Sequence, residues 1–256
     1  MKKSTLIFGF LLCSGLVFAK GSEGKLFERE YIRPEMLKVS EWQLKHPKHE
    51  AQDWTNATFY RGLYAAWETT GSKELLTALR KVCEKVDWLP FKRWYFADDI
   101  AICRTYLDLY GENKDKRILE ASIDTVNRFV NEPYPARNNP QTPVRLWWCD
   151  ALFMAPPVLV RAAKLTGDNE YLSYNDKYYR ECYDLLYNKE EHLFYRDLSY
   201  VLKSDGSGNR EPNGKPVFWS RGNGWVLGGL AMILEDMPVN YSGRSFYENL
   251  FREMSE

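Results

Sequence analysis

The chain is poor in several features on which large classes of protein depend. Neither sign of charge is in excess, since 35 Lys and Arg balance 35 Asp and Glu over 256 residues. There is therefore no basic field to hold nucleic acid and no strongly acidic surface, and the expected partner is small or uncharged overall. Histidine is scarce, at three residues. His46 and His49 fall in "HPKH", where Pro47 interrupts any helix and no cysteine stands nearby, so neither a metal nor another cofactor is expected. The Gly-rich turn near Gly222 has no phosphate-loop lysine after it. Cysteine is also sparse: beyond Cys13, only Cys83, Cys103, Cys149 and Cys182 remain. Each lies inside an apolar helical pattern with no close-spaced framework, which favours buried free thiols over disulfides. No Ser/Gly/Pro-rich linker divides the chain, so residues 20–256 are read as one domain.

That domain follows a targeting segment. "MKKSTLIFGFLLCSGLVFAKGSEG" has a basic start, an apolar run from Leu6 to Phe18, and the small residue Ala19 before a plausible cut. Residues 1–19 are read as a signal peptide, too short to span a bilayer; no membrane span is expected. The mature protein is expected in the periplasm or outside the cell. Leu12 rather than a small residue precedes Cys13, which ranks a lipoprotein second.

Aromatic residues are abundant, at 15%, with nine Trp and 17 Tyr. Much of this content falls beside polar residues at the starts of apolar runs, which suggests sugar stacking as well as core. Periodicity is helical almost throughout: Leu75, Leu79, Val82 and Val86 share one face, as do Leu119, Ile123, Val126 and Val130. The helices also repeat as pairs. Trp54 to Gly71 and Trp94 to Gly111 span the same number of residues, each ending at a glycine read as a helix stop, and each is followed by a second amphipathic helix. A third pair opens at Trp148, with Pro156 and Pro157 predicting a kink, and a fourth opens at Trp219. Between them "HLFYRDLSYV" and "KPVFW" read as a short hairpin-like excursion around a Gly-rich loop.

Helix pairs repeated in this way stack as an open solenoid or close into a toroid of inner and outer helices. The first helix of each pair is the more apolar, which favours the toroid. Its geometry gathers the starts of the inner helices at one end, so Asn56, Asp98, Asp99, Asp150, Arg221 and Asn223 are expected to converge.

Asp150 opens an apolar helix after "LWWC". The ordinary role of an aspartate there is an N-cap, worth about 1 kcal/mol. Its surroundings, Trp147 and Trp148 above all, favour instead a carboxyl that keeps its proton beside two sugar platforms. Of Asp98 and Asp99, one is expected to cap a helix and the other to stand near Asp150 as a second carboxylate. Arg221 sits at a helix start, where the dipole disfavours a cation. That misfit points to a ligand: a guanidinium fork suits a carboxylate, and the flanking indoles of Trp219 and Trp225 suit the flat faces of a sugar.

The segments "WWCDALFMAPP", "LTGDNEYL", "LFYRD" and above all "FWSRGNGWVLGGL" resemble the unsaturated uronyl hydrolases of glycoside hydrolase families 88 and 105, from about Trp54 to the last residue. The resemblance implies an all-α (α/α)6 barrel and a metal-free hydrolysis of oligosaccharides left by polysaccharide lyases, with a 4,5-unsaturated uronic acid at the non-reducing end. It implies Asp150 as catalytic acid and base, and Asp99 in preference to Asp98 as the second carboxylate, Asp98 then lining the substrate site. Trp219, Arg221 and Trp225 match the segment that binds the unsaturated sugar, beside Asn223. Arg196 stands where several members carry a histidine. Such a barrel needs twelve helices, whereas periodicity yields about nine, so a ring apparently truncated at the C-terminus is expected. Two other functions fit the same residues: a non-catalytic carbohydrate-binding protein with an open ring, and an ordinary inverting glycosidase.

Overall fold

The computed structural model describes residues 24–135 and 138–256; the expected signal peptide, residues 1–19, lies outside the described residues. A short 3₁₀ turn (Gly24–Phe27) leads into α1 (Arg29–Lys45). From there the chain runs as helical hairpins. α2 (Trp54–Thr70) starts at Asp53, whose carboxylate accepts from the Thr55 N–H, and stops at Gly71, whose φ of 73° glycine adopts without strain. α3 (Lys73–Glu84) starts at Ser72, whose hydroxyl accepts from the Leu75 N–H. The second hairpin is α4 (Ala97–Ile100), α5 (Ile102–Asn113) and α6 (Lys116–Asn131); the third is α7 (Ala151–Met154), α8 (Pro156–Thr166) and α9 (Glu170–Leu186). Strands β1 (Tyr187–Asn188) and β2 (Leu193–Phe194) pair antiparallel before the fourth hairpin, α10 (Ser220–Asp236) and α11 (Arg244–Glu253).

Helices α2, α5, α8 and α10 pack side by side in that order, and α3, α6, α9 and α11 each lie against the helix before them. The two sets differ as an inner and an outer layer must. Residues Ile102 to Leu109 of α5 are all buried, whereas α6 buries one stripe that includes Ile118, Ser122, Val126 and Phe129. Each large apolar side chain so buried contributes about 1.5–3 kcal/mol. Cys83, Cys103, Cys149 and Cys182 are buried free thiols, as their placement in the pattern predicts.

Three local readings are corrected. Gly111 does not end its helix: α5 runs on to Asn113, and Lys114 takes the left-handed turn with φ 57°. The glycine there makes room for a neighbour, since a Cβ would lie 3.3 Å from Arg161 Nη2 of α8. Pro156 and Pro157 do more than kink a helix; they divide it at Ala155 into α7 and α8, because Pro156 has no N–H to continue the ladder. The partner of Leu193–Phe194 is Tyr187–Asn188, while the "KPVFW" segment contributes only a bridge between Arg210 and Pro216.

The inner helices are tied together, from their middle turns to the C-terminal end of α10, by charges, most of them buried, that sequence periodicity does not reveal. Asp108 of α5 meets Arg104 and Arg161 at 3.1 Å each. Asp236 of α10 meets Arg104 and Arg161 at 2.9 Å and Lys164 at 2.8 Å. Arg61 of α2 reaches Asp108 at 3.7 Å and Glu235 of α10 at 3.9 Å, so the row of inner helices curves round on itself. Burial raises the Asp236 carboxyl, but Arg104, Lys164 and Arg161 outweigh it and hold the group below its ordinary range.

Candidate active site

The opposite ends of the inner helices frame a cavity of about 280 Å³. Its walls carry Asp98 in the first turn of α4, Asp150 at the start of α7 and Arg221 in the first turn of α10. Short helices break off at Ala101 and Ala155, so these side chains sit at helix entrances beside the cavity rather than deep in the packed layer.

The aromatic lining is continuous. Trp147 and Trp148 meet edge to face with centroids 5.6 Å apart, and Trp148 meets Trp219 edge to face at 6.4 Å. Arg221 lies 4.8 Å over the Trp219 ring and makes no ion pair among the described residues. Trp54 and Phe96 complete the apolar walls. The Trp219 ring lies so close to the backbone of α10 that a Cβ on Gly222 would overlap it and come within 2.8 Å of Cys149 Sγ. This contact requires a glycine at the third position of α10.

Both cavity carboxyls are raised. Burial is the main cause for Asp98, followed by the charges of Asp150 and Asp99; Arg93 opposes them, and the group is pushed up to about 7. Asp150 is also raised by burial, while its own backbone N–H, that of Ala151, Arg221 and Arg196 pull the other way. Its side chain makes no capping hydrogen bond, so the ordinary N-cap role is not the one it performs.

Five residues expected at the site are placed elsewhere. Asp99, expected as the second carboxylate, is 1% exposed and held by Arg93 through its backbone N–H at 2.7 Å, Nε at 3.1 Å and Nη2 at 2.7 Å. Neighbours on a helix point about 100° apart, so only one of the two aspartates faces the cavity, and it is Asp98. Asn223 clips α10 to β2: its Oδ1 accepts from the Phe194 N–H at 2.8 Å, and its Nδ2 donates to the Phe194 and Trp219 carbonyls. Trp225 is one turn beyond Arg221, where Phe153 covers it at 4.8 Å. Arg196 is stacked between Trp148 at 4.5 Å and Tyr200 at 4.6 Å and pairs with Asp197 at 2.8 Å; it acts on Asp150 through its field but does not line the cavity. Asn56 likewise turns away, donating to the His49 and Glu50 carbonyls. Conversely, Phe96 and Arg145 line the cavity without a signal in the sequence beyond their nearness to Asp98 and to "LWWCD".

Among the described residues no group of three or more His, Cys, Asp or Glu is arranged to hold a metal ion, and no helix is long and apolar enough to cross a membrane.

Residues 30–256 match the family profile Glycosyl Hydrolase Family 88. The chain is 41% identical over 235 residues to an unsaturated 3S-rhamnoglycuronyl hydrolase of Formosa agariphila, covering 88% of this chain and 62% of that protein. It is 34% identical over 224 residues to a protein of the same name from Alteromonas sp. (strain LOR), covering 80% of this chain and 52% of that one. The chain thus spans between half and two thirds of the length of these relatives. A solved glycosyl hydrolase family 88 structure from Bacteroides vulgatus superposes with a TM-score of 0.74 at 24% identity, covering 87% of this chain and 67% of that one. Its inner and outer helices follow the six-hairpin toroid, and by the match along nearly its whole length the chain belongs to glycosyl hydrolase family 88.

Proposed function

We propose that the cavity hydrolyses oligosaccharides carrying a 4,5-unsaturated uronic acid at the non-reducing end, the products of polysaccharide lyases. One observation carries the reading: two carboxyls at different helix entrances, Asp98 and Asp150, share an aromatic cavity with an arginine that makes no ion pair among the described residues, and both are raised. Membership of the family and the names of the relatives support it.

Arg221 pairs with the substrate carboxylate, and Trp147, Trp148 and Trp219 take the faces of the sugar. The unsaturated ring is a vinyl ether. Asp150 delivers its proton to C4, the C4=C5 π electrons form the new C–H bond, and positive charge develops on C5 and the ring oxygen. The Asp150 carboxylate then removes a proton from water as that water attacks C5. The resulting hemiketal opens and the glycosidic bond breaks, with no displacement at the anomeric carbon. Asp98 is the second carboxylate of the pair, whose titration belongs to both groups together. In the empty cavity Arg221 and Arg196 pull Asp150 down. A substrate carboxylate bound to Arg221 cancels the pull of Arg221, which favours the protonated form of Asp150 as the substrate arrives.

The test is incubation with a lyase-generated oligosaccharide while following the ultraviolet absorbance of the conjugated double bond. Steady loss of absorbance with release of the leaving sugar is the expected result; constant absorbance with folded protein refutes the reading. We further propose export through the segment at residues 1–19, which mass spectrometry checks by finding a mature N-terminus after Ala19.

A further inference from the structure

Arg145 is a buried cation without an anion. It is 9% exposed, its Nη2 donates to the Glu132 carbonyl at 2.9 Å, and its Nε and Nη1 are buried with no acceptor. No carboxylate stands within ion-pairing distance among the described residues. The Phe129, Tyr178 and Tyr134 ring centroids lie 4.8, 5.2 and 5.4 Å from the guanidinium carbon. Cation–π attraction from these rings offsets part of the desolvation, but a buried guanidinium is ordinarily held by a carboxylate. Burial accordingly lowers its affinity for its proton. The Tyr178 side chain beside the guanidinium partly offsets this, and the Nε and Nη1 donors have no acceptor of good geometry among the described residues.

Its position says what kind of acceptor this is. Arg145 lines both the candidate active-site cavity and a second cavity of about 430 Å³. The second cavity is walled by Tyr134, Tyr178, Pro133 and Pro143, and Lys177 adds a second cation to it; the carboxylates on its wall are Glu132, which Arg128 engages at 2.9 Å, and Glu181. A guanidinium, an ammonium and flat apolar walls are the groups that recognise an acidic sugar.

We propose that the second cavity continues the saccharide site, and that Arg145, aided by Lys177, recognises a carboxylate or sulfate ester on a further sugar residue of the substrate. This rests on reading the first cavity as a saccharide site. The Arg145 fork sets the selectivity: a neutral sugar in that position leaves its two N–H donors unpaired, which a bound acidic sugar does not.

Equilibrium binding by calorimetry tests the subsite without relying on turnover. The probes are an unsaturated uronyl trisaccharide with a carboxylate on a later sugar, its counterpart with a sulfate ester there, and its counterpart with that carboxylate reduced to an alcohol. One of the anionic trisaccharides is expected to bind the parent protein roughly tenfold or more tightly than the neutral one, which also tells carboxylate from sulfate. In Arg145→Gln that gap collapses toward onefold, and in Lys177→Gln it narrows. Equal binding of all three probes to the parent protein overturns the proposal, and this arm stands even where Arg145→Gln does not fold. A gap that survives in folded Arg145→Gln overturns it as well. Loss of double-bond absorbance is read in parallel: a binding gap without turnover leaves the subsite standing and removes only the hydrolase reading.

Discussion

Asp98 of helix α4 and Asp150 at the entrance of α7 are far apart in the chain, yet Asp150 acts on Asp98 across a single cavity: its charge is the second cause, after burial, of the raised Asp98 carboxyl. Two carboxyls held in this way cannot both ionise freely, so the pair keeps a proton near neutral pH.

The first consequence concerns Asp150→Asn. The amide retains the size of the side chain but can neither protonate C4 nor activate water. Turnover of an unsaturated oligosaccharide should fall by roughly 10²- to 10⁴-fold for each proton-transfer role lost, while circular dichroism and the melting temperature stay near those of the parent. Parental turnover in the folded variant assigns Asp150 a structural role.

A second consequence appears in stability against pH through Asp98. Its folded pKa is raised to about 7 from 3.8, so between those values the folded state binds more protons than the unfolded one. Stability is therefore lost as pH rises across that window and is constant above it. Asp98→Asn removes the charge and should be the more stable protein at pH 8, by on the order of 2 to 4 kcal/mol, with the difference vanishing near pH 4. Denaturant melts at several pH values measure it; a constant difference from pH 4 to 8 contradicts the assignment.

Arg221→Lys separates charge from shape. Lysine keeps the cation but not the planar fork that matches a carboxylate. KM for the unsaturated uronide should rise about tenfold or more, with folding unchanged because Arg221 makes no ion pair to lose. An unchanged KM places the substrate carboxylate elsewhere.

Gly222→Ala should act through Trp219. The added methyl group overlaps the indole and crowds Cys149, so the ring must leave its position, at about 1–3 kcal/mol in stability. Substrate affinity should fall with it, and Trp fluorescence should report a changed environment; parental affinity and emission together show that the ring does not need this seat.

At the other end of the helices, Asp236→Ala leaves two buried arginines, Arg104 and Arg161, to share Asp108 as their one carboxylate. A loss of about 3–5 kcal/mol is expected from removing one side of such a pair, read in a chemical denaturation midpoint. A loss below 1 kcal/mol shows that water compensates the arginines.

Much of this arrangement is legible in the sequence, and the reasons for the rest are physical. Helical periodicity and the recurring tryptophan reveal the hairpins because burial of one face writes itself as a 3.6-residue pattern. The direction of a polar side chain at a helix entrance is not written that way. Asp98 and Asp99 are chemically identical, and only the presence of Arg93, folded back onto Asp99, decides which one is left for the cavity. Asn223 and Trp225 lie in the motif that surrounds Arg221, yet packing against Phe194 and Phe153 takes them out of the site. Arg145 escapes notice because its environment is assembled from residues distant in the chain, Phe129 and Tyr178 among them.

The charges that join Arg61, Arg104, Asp108, Arg161 and Asp236 also set how the molecule comes apart. Hairpins that touch only their neighbours melt from an end, one unit at a time, as linear arrays do. Here a residue of the first hairpin bonds to groups in the second and the fourth, and Asp236 in the fourth is held by arginines of the second and third. Loss of the second, third or fourth hairpin breaks buried ion pairs in its neighbours, so these three share one cooperative transition, and the cavity walls they carry survive or vanish together.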